Sequence, residues 1–157
     1  MSAQEATEYL TVRPLSAGDA AEVSALLRAQ PPDYARFFYA LGPGEEEIAR
    51  ALAGRSRDYY AGMFWRGELV AFFMLRGWDA GFEVPSFGVV VDERQKGRGF
   101  MRLALDMGKL VAKLSGAPRL MAKIHPDNVS PRGARRLGLV QTGVEEETGN
   151  VVYHIEL

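Results

Sequence analysis

A loop that carries two glycines and several basic side chains separates an apolar segment from an amphipathic one. The apolar, β-branched run Phe87–Val91 predicts a strand, and Asp92–Gly99 follows it as a charged loop. A helix is predicted from Phe100, because apolar residues then recur at steps of three and four. The expected apolar face of this helix comprises Phe100, Leu103, Ala104, Met107, Leu110, Val111 and Leu114. The order strand, glycine loop, helix directs free backbone N–H groups and a partial positive charge at an anion.

The residue types in this loop suit a phosphate or pyrophosphate group. Gly97 and Gly99 lack a Cβ, so an anion can approach the backbone closely. Lys96, Arg98 and Arg102 add full positive charges. The loop fits neither the P-loop pattern, since no GK[ST] follows, nor the dinucleotide fingerprint, since a third glycine and a downstream acidic residue are missing. Two interpretations stay open at this point: a pyrophosphate site, and an ordinary connection with solvated basic side chains.

The composition restricts the classes of protein to which the chain can belong. Its 157 residues predict a single domain, 1–157, with one hydrophobic core. The absence of cysteine excludes disulfides, thiolate metal sites and a cysteine nucleophile, and we predict no metal site. A formal net charge of -1 argues against a nucleic-acid or anionic-membrane partner. The N-terminal segment is unlike a signal peptide and no apolar run approaches the length of a membrane span, so we expect a cytoplasmic protein.

The elements that must position the glycine loop follow from hydrophobic periodicity and turn residues. Strands are predicted at Tyr9–Leu15, Tyr59–Trp65, Glu68–Trp78, Glu83–Asp92, Leu120–His125, Leu139–Glu145 and Val151–Glu156. Helices are predicted after the capping pair Ser16 and Asp19, within Asp33–Gly44, at Glu45–Ala53, from Phe100 to Ser115 and after Ser130. A helix connects the strands Glu83–Asp92 and Leu120–His125, which are therefore expected to pair in parallel. This order predicts an α+β fold with a mixed, mostly antiparallel sheet.

An aromatic stretch follows the first helix. It contains Tyr34, Phe37, Phe38 and Tyr39, and ends at a Gly-Pro-Gly loop. These aromatic side chains, together with Trp78, are candidates for the wall of a substrate pocket, because loops on a rigid scaffold often carry recognition. The alternative is that they pack as a satellite of the core.

Two longer segments, VVVDERQKGRGFMRLAL and KIHPDNVSPRGARRLGLVQTG, resemble the GNAT superfamily of acyl-CoA N-acyltransferases. The order of elements matches that family over nearly the full length of the chain. The family's phosphate loop, [Gln/Arg]-x-x-Gly-x-[Gly/Ala], fits in two registers: Arg94–Gly99 matches literally, and Lys96–Met101 matches with two substitutions. We prefer the second, because it gives the following helix the family's usual length up to Gly116. The resemblance implies the GNAT fold, a splayed sheet of about seven strands with about four helices.

The resemblance also implies an acyl donor, acetyl-CoA, and the residues that bind it. The strands Glu83–Asp92 and Leu120–His125 would diverge, and the pantetheine arm would fill the gap between them. The arm would pair with the backbone of Val89 and Val91, and Asn128 would contact it. The pyrophosphate would lie on the glycine loop, whose expected cofactor-binding residues are Lys96, Gly97, Arg98, Gly99, Phe100 and Met101.

The implied reaction is direct attack of a neutral amine on the thioester, which needs a base, an oxyanion donor and an acid. By resemblance, the oxyanion donor would be the backbone N–H of Val89, freed by a bulge in its strand. Pro85 stands where histone acetyltransferases have a glutamate, so the base is expected to be Glu83, two residues earlier on the same strand face. The alternative for Glu83 is a strand-end carboxylate that faces solvent. Asp79, in the neighbouring turn, is a second candidate for the base.

The tyrosine that many relatives use as the acid is also absent. Ala134, or Arg135 by a second count, takes its position. The thiolate would then receive its proton from water or from another tyrosine, for which Tyr39, Tyr60 and Tyr153 are the candidates. His125 is expected to be a hydrogen-bonded residue at a strand end, with a catalytic role as the alternative.

The sequence leaves the acceptor amine open. The short run Glu145–Glu147 is typical of a solvated loop rather than of a site for a basic peptide, and an aromatic wall suits a sugar ring, an aromatic amine or an apolar side chain. We predict an N-acetyltransferase that acts on a primary amine of a small molecule, with aminosugars among the candidates, in a ternary complex. A protein lysine or N-terminal acetyltransferase and a catalytically inactive acyl-CoA-binding module stay open as alternatives. By resemblance, a homodimer is also expected.

Overall fold

The computed structural model describes residues 9–38 and 40–157. Its strands are β1 (Leu10–Pro14), β2 (Tyr59–Trp65), β3 (Glu68–Arg76), β4 (Ser86–Val91), β5 (Arg119–Ile124), β6 (Val140–Glu145) and β7 (Asn150–Glu156). Its α-helices are α1 (Ala20–Arg28), α2 (Pro32–Ala35), α3 (Glu45–Gly54), α4 (Phe100–Leu114) and α5 (Pro131–Arg136), with 3₁₀ turns at Ala17–Asp19 and Glu93–Gln95. Within these described residues, no helix has both the length and the apolar character needed to cross a membrane.

The seven strands form one sheet in the order β1-β2-β3-β4-β5-β7-β6. Neighbouring strands are antiparallel except β4 and β5, which are parallel, as predicted. Among the described residues, the single paired position between β4 and β5 is Ser86 with Met121, so the two strands diverge beyond it. The α+β fold with a splayed, mostly antiparallel sheet is confirmed.

Hydrophobic clusters cover both faces of the sheet. On one face, Val23 of α1 and Ile48 of α3 belong to the same buried cluster as Phe72 of β3. On the other face, Ala104 of α4 packs in a cluster with Phe73. Consecutive residues of β3 thus point to opposite faces, as the alternation of a strand requires. The central strands are held from both sides, which fixes the position of β4 and of the loop that follows it.

Local signals in the sequence account for several element boundaries. Arg66 and Gly67, with φ of 52° and 80°, form the tight hairpin turn between β2 and β3. The side chain of Ser130 accepts a hydrogen bond from the backbone N–H of Gly133 (3.1 Å) and caps α5. Gly116, with φ of 87°, follows the end of α4. These turn and cap predictions are confirmed.

The strand that was expected at Glu83–Asp92 is shorter than predicted. β4 begins at Ser86, because Pro85 has no N–H to donate to a ladder, and Glu83 lies in an exposed bend before the strand. The expected bulge near Val89 is also absent, since β4 pairs with β3 in one unbroken register from Ser86 to Val91. The register shifts that occur lie in β2, between Met63 and Phe64, and in β6.

The predicted apolar face of α4 is only partly buried. Ala104, Leu105, Gly108 and Ala112 face the sheet, whereas three leucines of the expected stripe are exposed: Leu103, Leu110 and Leu114. Small residues are selected at the contact because the helix lies very close to β4. A Cβ at Gly108 would stand 2.9 Å from the Phe87 ring, so that a side chain does not fit there without movement.

Candidate functional site

The divergence of β4 from β5 leaves backbone groups of β4 without a strand partner. The Asp92 N–H bonds to Val70 O of β3 (2.8 Å), which sets the phase of the ladder: even-numbered residues of β4 bond to β3. The N–H groups of Val89 and Val91 therefore point into the gap. Alternation along a regular strand gives them this orientation, and no bulge is needed.

The glycine loop at the end of β4 has the geometry of an anion site. Gly97 and Gly99 adopt φ of 77° and 97°, and a Cβ at either position would meet open space. The first hydrogen bond of the α4 ladder runs from Leu103 N–H to Gly99 O (3.0 Å), so the amides of Phe100 and Met101 precede the ladder. A diphosphate group fits this arrangement, because the two glycines leave open space beside the free amides and the positive end of α4.

The basic side chains around the loop divide into two groups. Arg94 donates from Nη2 to Asp92 Oδ2 (2.8 Å) and lies 3.3 Å from Glu68 Oε1, so its charge is directed back toward the sheet. Asp92 is buried, and the hydrogen bonds from Arg94 hold the pKa of this carboxyl below its usual range. Lys96 and Arg102 also have carboxylate partners, Glu93 at 2.7 Å and Asp106 at 3.8 Å, but unlike Arg94 they line the space in front of the loop. This division favours the register Lys96–Met101 over Arg94–Gly99.

Three cavities follow one another along the gap. The loop cavity, about 430 Å³, is bounded by the glycine loop, Val89 and Asn128. The gap cavity, about 100 Å³, lies between β4 and β5 and shares Val89, Met101 and Asn128 with the loop cavity. The aromatic cavity, about 440 Å³, opens on the far side and shares Phe87, Gly88 and Lys123 with the gap cavity. The shared residues place the three cavities in series, a path that runs from the glycine loop along the gap to the aromatic cavity.

The predicted cofactor-binding residues are brought together along this path. The loop cavity is lined by Val89, Val91, Lys96, Gly97, Gly99, Phe100, Met101 and Asn128. Arg98 is directed elsewhere, since its guanidinium donates to Gln95 Oε1 (3.3 Å) and it lines a shallow cavity beside Trp65. Met101 reaches into both the loop and the gap cavities, which narrows the path where the family pattern has a small residue.

The predicted substrate-binding aromatic residues are distributed over several places. Phe38 lines the aromatic and gap cavities, together with Phe37. Tyr34 lies instead beside the glycine loop: its hydroxyl accepts a hydrogen bond from the Val91 N–H (3.0 Å), and the Lys96 Nζ lies 4.0 Å from the centre of its ring. Trp78 is a core residue, 5% exposed, because the turn after β3 places it in the same hydrophobic cluster as Leu75 and Leu120. Tyr39 lies outside the described residues.

The carboxylates that were expected to act as the base do not lie on the path. Glu83 is exposed, and its neighbours Phe82 and Val84 line the aromatic cavity. Asp79 accepts hydrogen bonds from the backbone N–H groups of Ser56 (2.9 Å) and Arg57 (2.6 Å), which lower the pKa of its carboxyl. Asp79 therefore stabilises the loop that precedes β2.

Two of the tyrosines considered as the acid are buried in the core. Tyr60 is 3% exposed, and burial raises the pKa of its hydroxyl. Tyr153 belongs to the cluster beneath α4, and its hydroxyl has no hydrogen-bond partner among the described residues. His125 accepts a hydrogen bond at Nδ1 from the Asp127 N–H (3.1 Å) and packs against the Phe37 ring, 5.3 Å between ring centres. These contacts make His125 part of the turn that presents Asn128.

The aromatic cavity contains charged residues that the sequence interpretation missed. Asp58, Arg76, Lys123 and Glu145 line it. Lys123 Nζ and Glu145 Oε2 are 2.7 Å apart, and Thr148 Oγ1 donates to Glu145 Oε1 (2.8 Å). These two hydrogen bonds hold the pKa of the Glu145 carboxyl below its usual range, and the bond from Lys123 has the larger effect. The only signal in the sequence was the acidic run Glu145–Glu147, from which a solvated loop was predicted.

Comparison with known proteins identifies the fold with an enzyme family. A family model described as the acetyltransferase (GNAT) domain matches residues 9–140. Among solved structures, a GNAT-family acetyltransferase from Streptococcus pneumoniae superposes with a TM-score of 0.74 at 19% identity, over 95% of this chain and 100% of that chain. The ribosomal-protein-S5-alanine acetyltransferase from Vibrio fischeri gives a TM-score of 0.76 at 17% identity, over 95% of this chain and 93% of that one.

A third structure was solved with a ligand. The PaiA N-acetyltransferase from Thermoplasma acidophilum, in complex with coenzyme A, gives a TM-score of 0.74 at 12% identity, over 95% of this chain and 99% of that chain. At these identities the superpositions establish a common fold. A search of curated protein sequences returns no match.

Proposed function

The chain belongs to the GNAT acetyltransferase family, with acetyl-CoA as the acyl donor, and we propose that it acetylates a primary amine of a small molecule. The path of three cavities carries this proposal. The loop cavity suits the pyrophosphate, the gap cavity suits the pantetheine arm, and the aromatic cavity suits the acceptor. In this arrangement the donor and the acceptor approach from opposite ends and meet beside Gly88 and Val89.

The chain's own groups supply orientation and charge stabilisation. Acetyl-CoA supplies a thioester; attack by a neutral amine forms a C–N bond and breaks the C–S bond, with the electron pair leaving on sulfur. The Val89 N–H points into the gap and would donate to the developing oxyanion, an interaction worth on the order of 3 kcal/mol. The amides of Phe100 and Met101 would bind the pyrophosphate, and Asn128 would contact the arm. The amine's proton would pass to water. The thiolate would receive its proton from water or from Tyr39, since the other two candidates, Tyr60 and Tyr153, are buried and do not line the gap cavity.

Two features of the aromatic cavity support a small acceptor. Its volume, about 440 Å³, lies in the range of pockets that enclose drug-sized ligands. The Arg76 guanidinium hydrogen-bonds to the Ala40 carbonyl, which joins the segment after α2 to the end of β3 across one side of the cavity. A long basic peptide would need an open groove with acidic walls, whereas here cationic and anionic side chains alternate.

Titration of acetyl-CoA and free CoA into wild-type protein and Gly99→Val tests the cofactor part of the proposal. The valine side chain would enter the space in front of the amides, so we expect binding to be lost. Gly116→Val is the matched control: Gly116 also has a positive φ and open space around it, at the opposite end of α4. It carries the same backbone strain without contact with the loop cavity, and should bind CoA like wild type.

A panel of amines then tests the acceptor part, with release of the CoA thiol as the measurement. The panel contains an arylalkylamine, a hexosamine, a free amino acid and a lysine-containing peptide. Turnover of a small amine with a higher kcat/KM than the peptide supports the proposal. Preference for the peptide, or equal loss of CoA binding in Gly99→Val and Gly116→Val, would contradict it.

A further inference from the structure

We propose that Glu145 is the binding site for the ammonium group of the acceptor, and that the acceptor carries this amine on an apolar or aromatic body. The inference rests on the proposed function, since it takes the aromatic cavity as the acceptor site. It assigns to Glu145 a binding role and names the chemical class of the substrate.

Glu145 lines the aromatic cavity beside Lys123, a residue that also lines the gap cavity. Glu145 is the last residue of β6, and β6 pairs with β7, which in turn pairs with β5. Lys123 on β5 lines both the aromatic and the gap cavities. Because the Glu145 carboxylate is 2.7 Å from the Lys123 Nζ, it stands beside the opening through which the thioester would be reached.

The carboxylate is charged and has capacity for another donor. Each of its two oxygens accepts one described hydrogen bond, Oε2 from Lys123 and Oε1 from Thr148. A carboxylate oxygen can accept two, so an ammonium can join without displacing either partner. The Glu145 side chain is 30% exposed, which leaves it open to the cavity. Since its pKa is held low, it stays ionised at neutral pH and suits binding of a cation better than removal of a proton. The bound ammonium would release its proton to water before the neutral amine attacks the thioester.

The other acidic side chain of the cavity, Asp58, holds a turn and lies away from the gap. Asp58 Oδ1 accepts hydrogen bonds from the backbone N–H groups of Gly77 and Asp79, both at 3.1 Å, and so holds the turn after β3. Asp58 immediately precedes β2, whereas Lys123 is on β5. The two residues are therefore remote from each other in the sheet, since β3 and β4 lie between these strands. Glu145 is therefore the carboxylate that can orient an amine toward the gap.

The remaining walls select the body of the substrate. Phe37, Phe38, Phe82, Phe87 and Met74 line the cavity, and their faces offer apolar contact rather than hydrogen bonds. The hydroxyl groups of a hexosamine that face these apolar walls would lose their hydration. An arylalkylamine would place its ring among the phenylalanines and its ammonium at Glu145.

Steady-state kinetics with phenethylamine and glucosamine test the inference. In Glu145→Gln, we expect KM for phenethylamine to rise about tenfold or more, because a hydrogen bond to a charged partner is lost, while kcat changes little. Glu147→Gln is the matched control, since Glu147 belongs to the same acidic run, is exposed and does not line the aromatic cavity. Lys123→Met should act in the opposite direction and lower KM, because it removes a positive charge that repels the ammonium.

The possible outcomes separate this inference from the proposed function. Phenethylamine should be a better substrate of the wild-type enzyme than glucosamine, as judged by kcat/KM. If wild-type protein acetylates amines but Glu145→Gln and Glu147→Gln have the same KM, or if glucosamine is preferred, the inference is wrong and the proposed function stands. If the wild-type protein acetylates none of the amine classes, the proposed function fails and the inference fails with it. Titration of acetyl-CoA into Glu145→Gln should give the wild-type affinity, which excludes a folding defect.

Discussion

Tyr34 occupies a backbone group that the cofactor would use. Its hydroxyl accepts the hydrogen bond of the Val91 N–H, one of the two β4 amides that point into the gap. Burial raises the pKa of this hydroxyl, so it remains neutral and protonated at physiological pH. Tyr34 also lines a cavity of about 530 Å³ on its other side, bounded by Leu27 and Val90, which gives the ring space to move. If the pantetheine arm pairs with Val91, Tyr34 must yield its hydrogen bond when the cofactor binds.

The substitution Tyr34→Phe should therefore tighten the binding of CoA. It removes the hydroxyl that competes for Val91 and keeps the ring that packs beside Lys96. A net hydrogen bond is worth about 0.5–1.5 kcal/mol, so the dissociation constant should fall by up to about tenfold. Titration calorimetry measures the change.

ADP is the control ligand for this prediction, because it carries the pyrophosphate without the pantetheine arm. Wild-type protein and Tyr34→Phe should bind ADP equally. Weaker binding of CoA to Tyr34→Phe would show instead that the hydroxyl contacts the cofactor directly, and an equal change for both ligands would place the effect at the glycine loop.

Residues of the site differ in how far the sequence could reveal them. The glycine loop could be recognised because its chemistry is local: two glycines, a following helix and basic side chains stand within a few positions. Glu145 and Lys123 meet only because β7 lies between β6 and β5, a pairing that no local pattern specifies. Glu83 was chosen by its distance from Pro85 along a strand, and that argument failed because the strand begins after the proline.

At the scale of elements, the contact between α4 and β4 determines where the gap walls lie. Gly108 faces Phe87 on β4, and Phe87 lines both the gap and the aromatic cavities. The periodicity of the sequence predicted the helix and its start correctly but assigned its buried face by hydrophobicity. The structure buries small residues there, because the helix packs closely, and leaves Leu110 and Leu114 exposed. Close approach is a tertiary property that hydrophobic periodicity does not encode.

Gly108→Ala should destabilise the fold by about 1 kcal/mol. The new Cβ would stand 2.9–3.0 Å from the Phe87 ring and force it to move, at a typical cost of 1–3 kcal/mol, whereas the helix gains about 1 kcal/mol from losing a glycine. Gly54→Ala, in α3, is the matched control, since its Cβ would meet nothing within 4 Å and should be neutral or stabilising. Urea denaturation of both variants measures the difference.

The same variant should also alter the acceptor site. Displacement of the Phe87 ring changes the wall that the gap and aromatic cavities share, so KM for the amine should change while CoA bound at the glycine loop is little affected. A Gly108→Ala protein that is as stable as Gly54→Ala and has an unchanged KM would show that the ring moves without cost.

At the scale of the whole molecule, two buried carboxylates hold the boundaries between consecutive elements of the fold. Asp19, at the start of α1, pairs with Arg13 of β1 at 2.8 Å. Asp92 pairs with Arg94 at the entrance to the glycine loop, also at 2.8 Å. Hydrogen bonds from these arginines, opposed in part by burial, keep the pKa of each carboxyl below its ordinary value. The general fold could be predicted from the order of elements, but these ties could not, because each depends on side-chain geometry at a boundary between elements.

These two carboxylates should make the fold sensitive to acid. A carboxyl whose pKa is lower when folded than when unfolded stabilises the protein above its unfolded pKa, near 4, and loses that contribution as the pH falls through the folded pKa. The free energy of unfolding should therefore decrease below about pH 4. Asp19→Asn and Asp92→Asn should each be less stable than wild type at pH 7 and show a shallower decrease in acid. The effects should add in the double variant, since the two pairs share no partner.

Chemical denaturation between pH 7 and pH 2 provides the measurement, with Glu147→Gln as an exposed carboxylate control. The control should follow the wild-type curve, because its side chain loses no buried partner. Asp92→Asn should in addition weaken CoA binding at pH 7, whereas Asp19→Asn should not. The reason is that Asp92 also accepts a hydrogen bond from the Arg94 backbone N–H (3.0 Å), which caps the 3₁₀ turn before the glycine loop. If the free energy of unfolding falls with pH as steeply in both asparagine variants as in the wild type, these pairs do not contribute to stability. Equal CoA affinity in the two variants would mean that the loop holds its shape without Asp92.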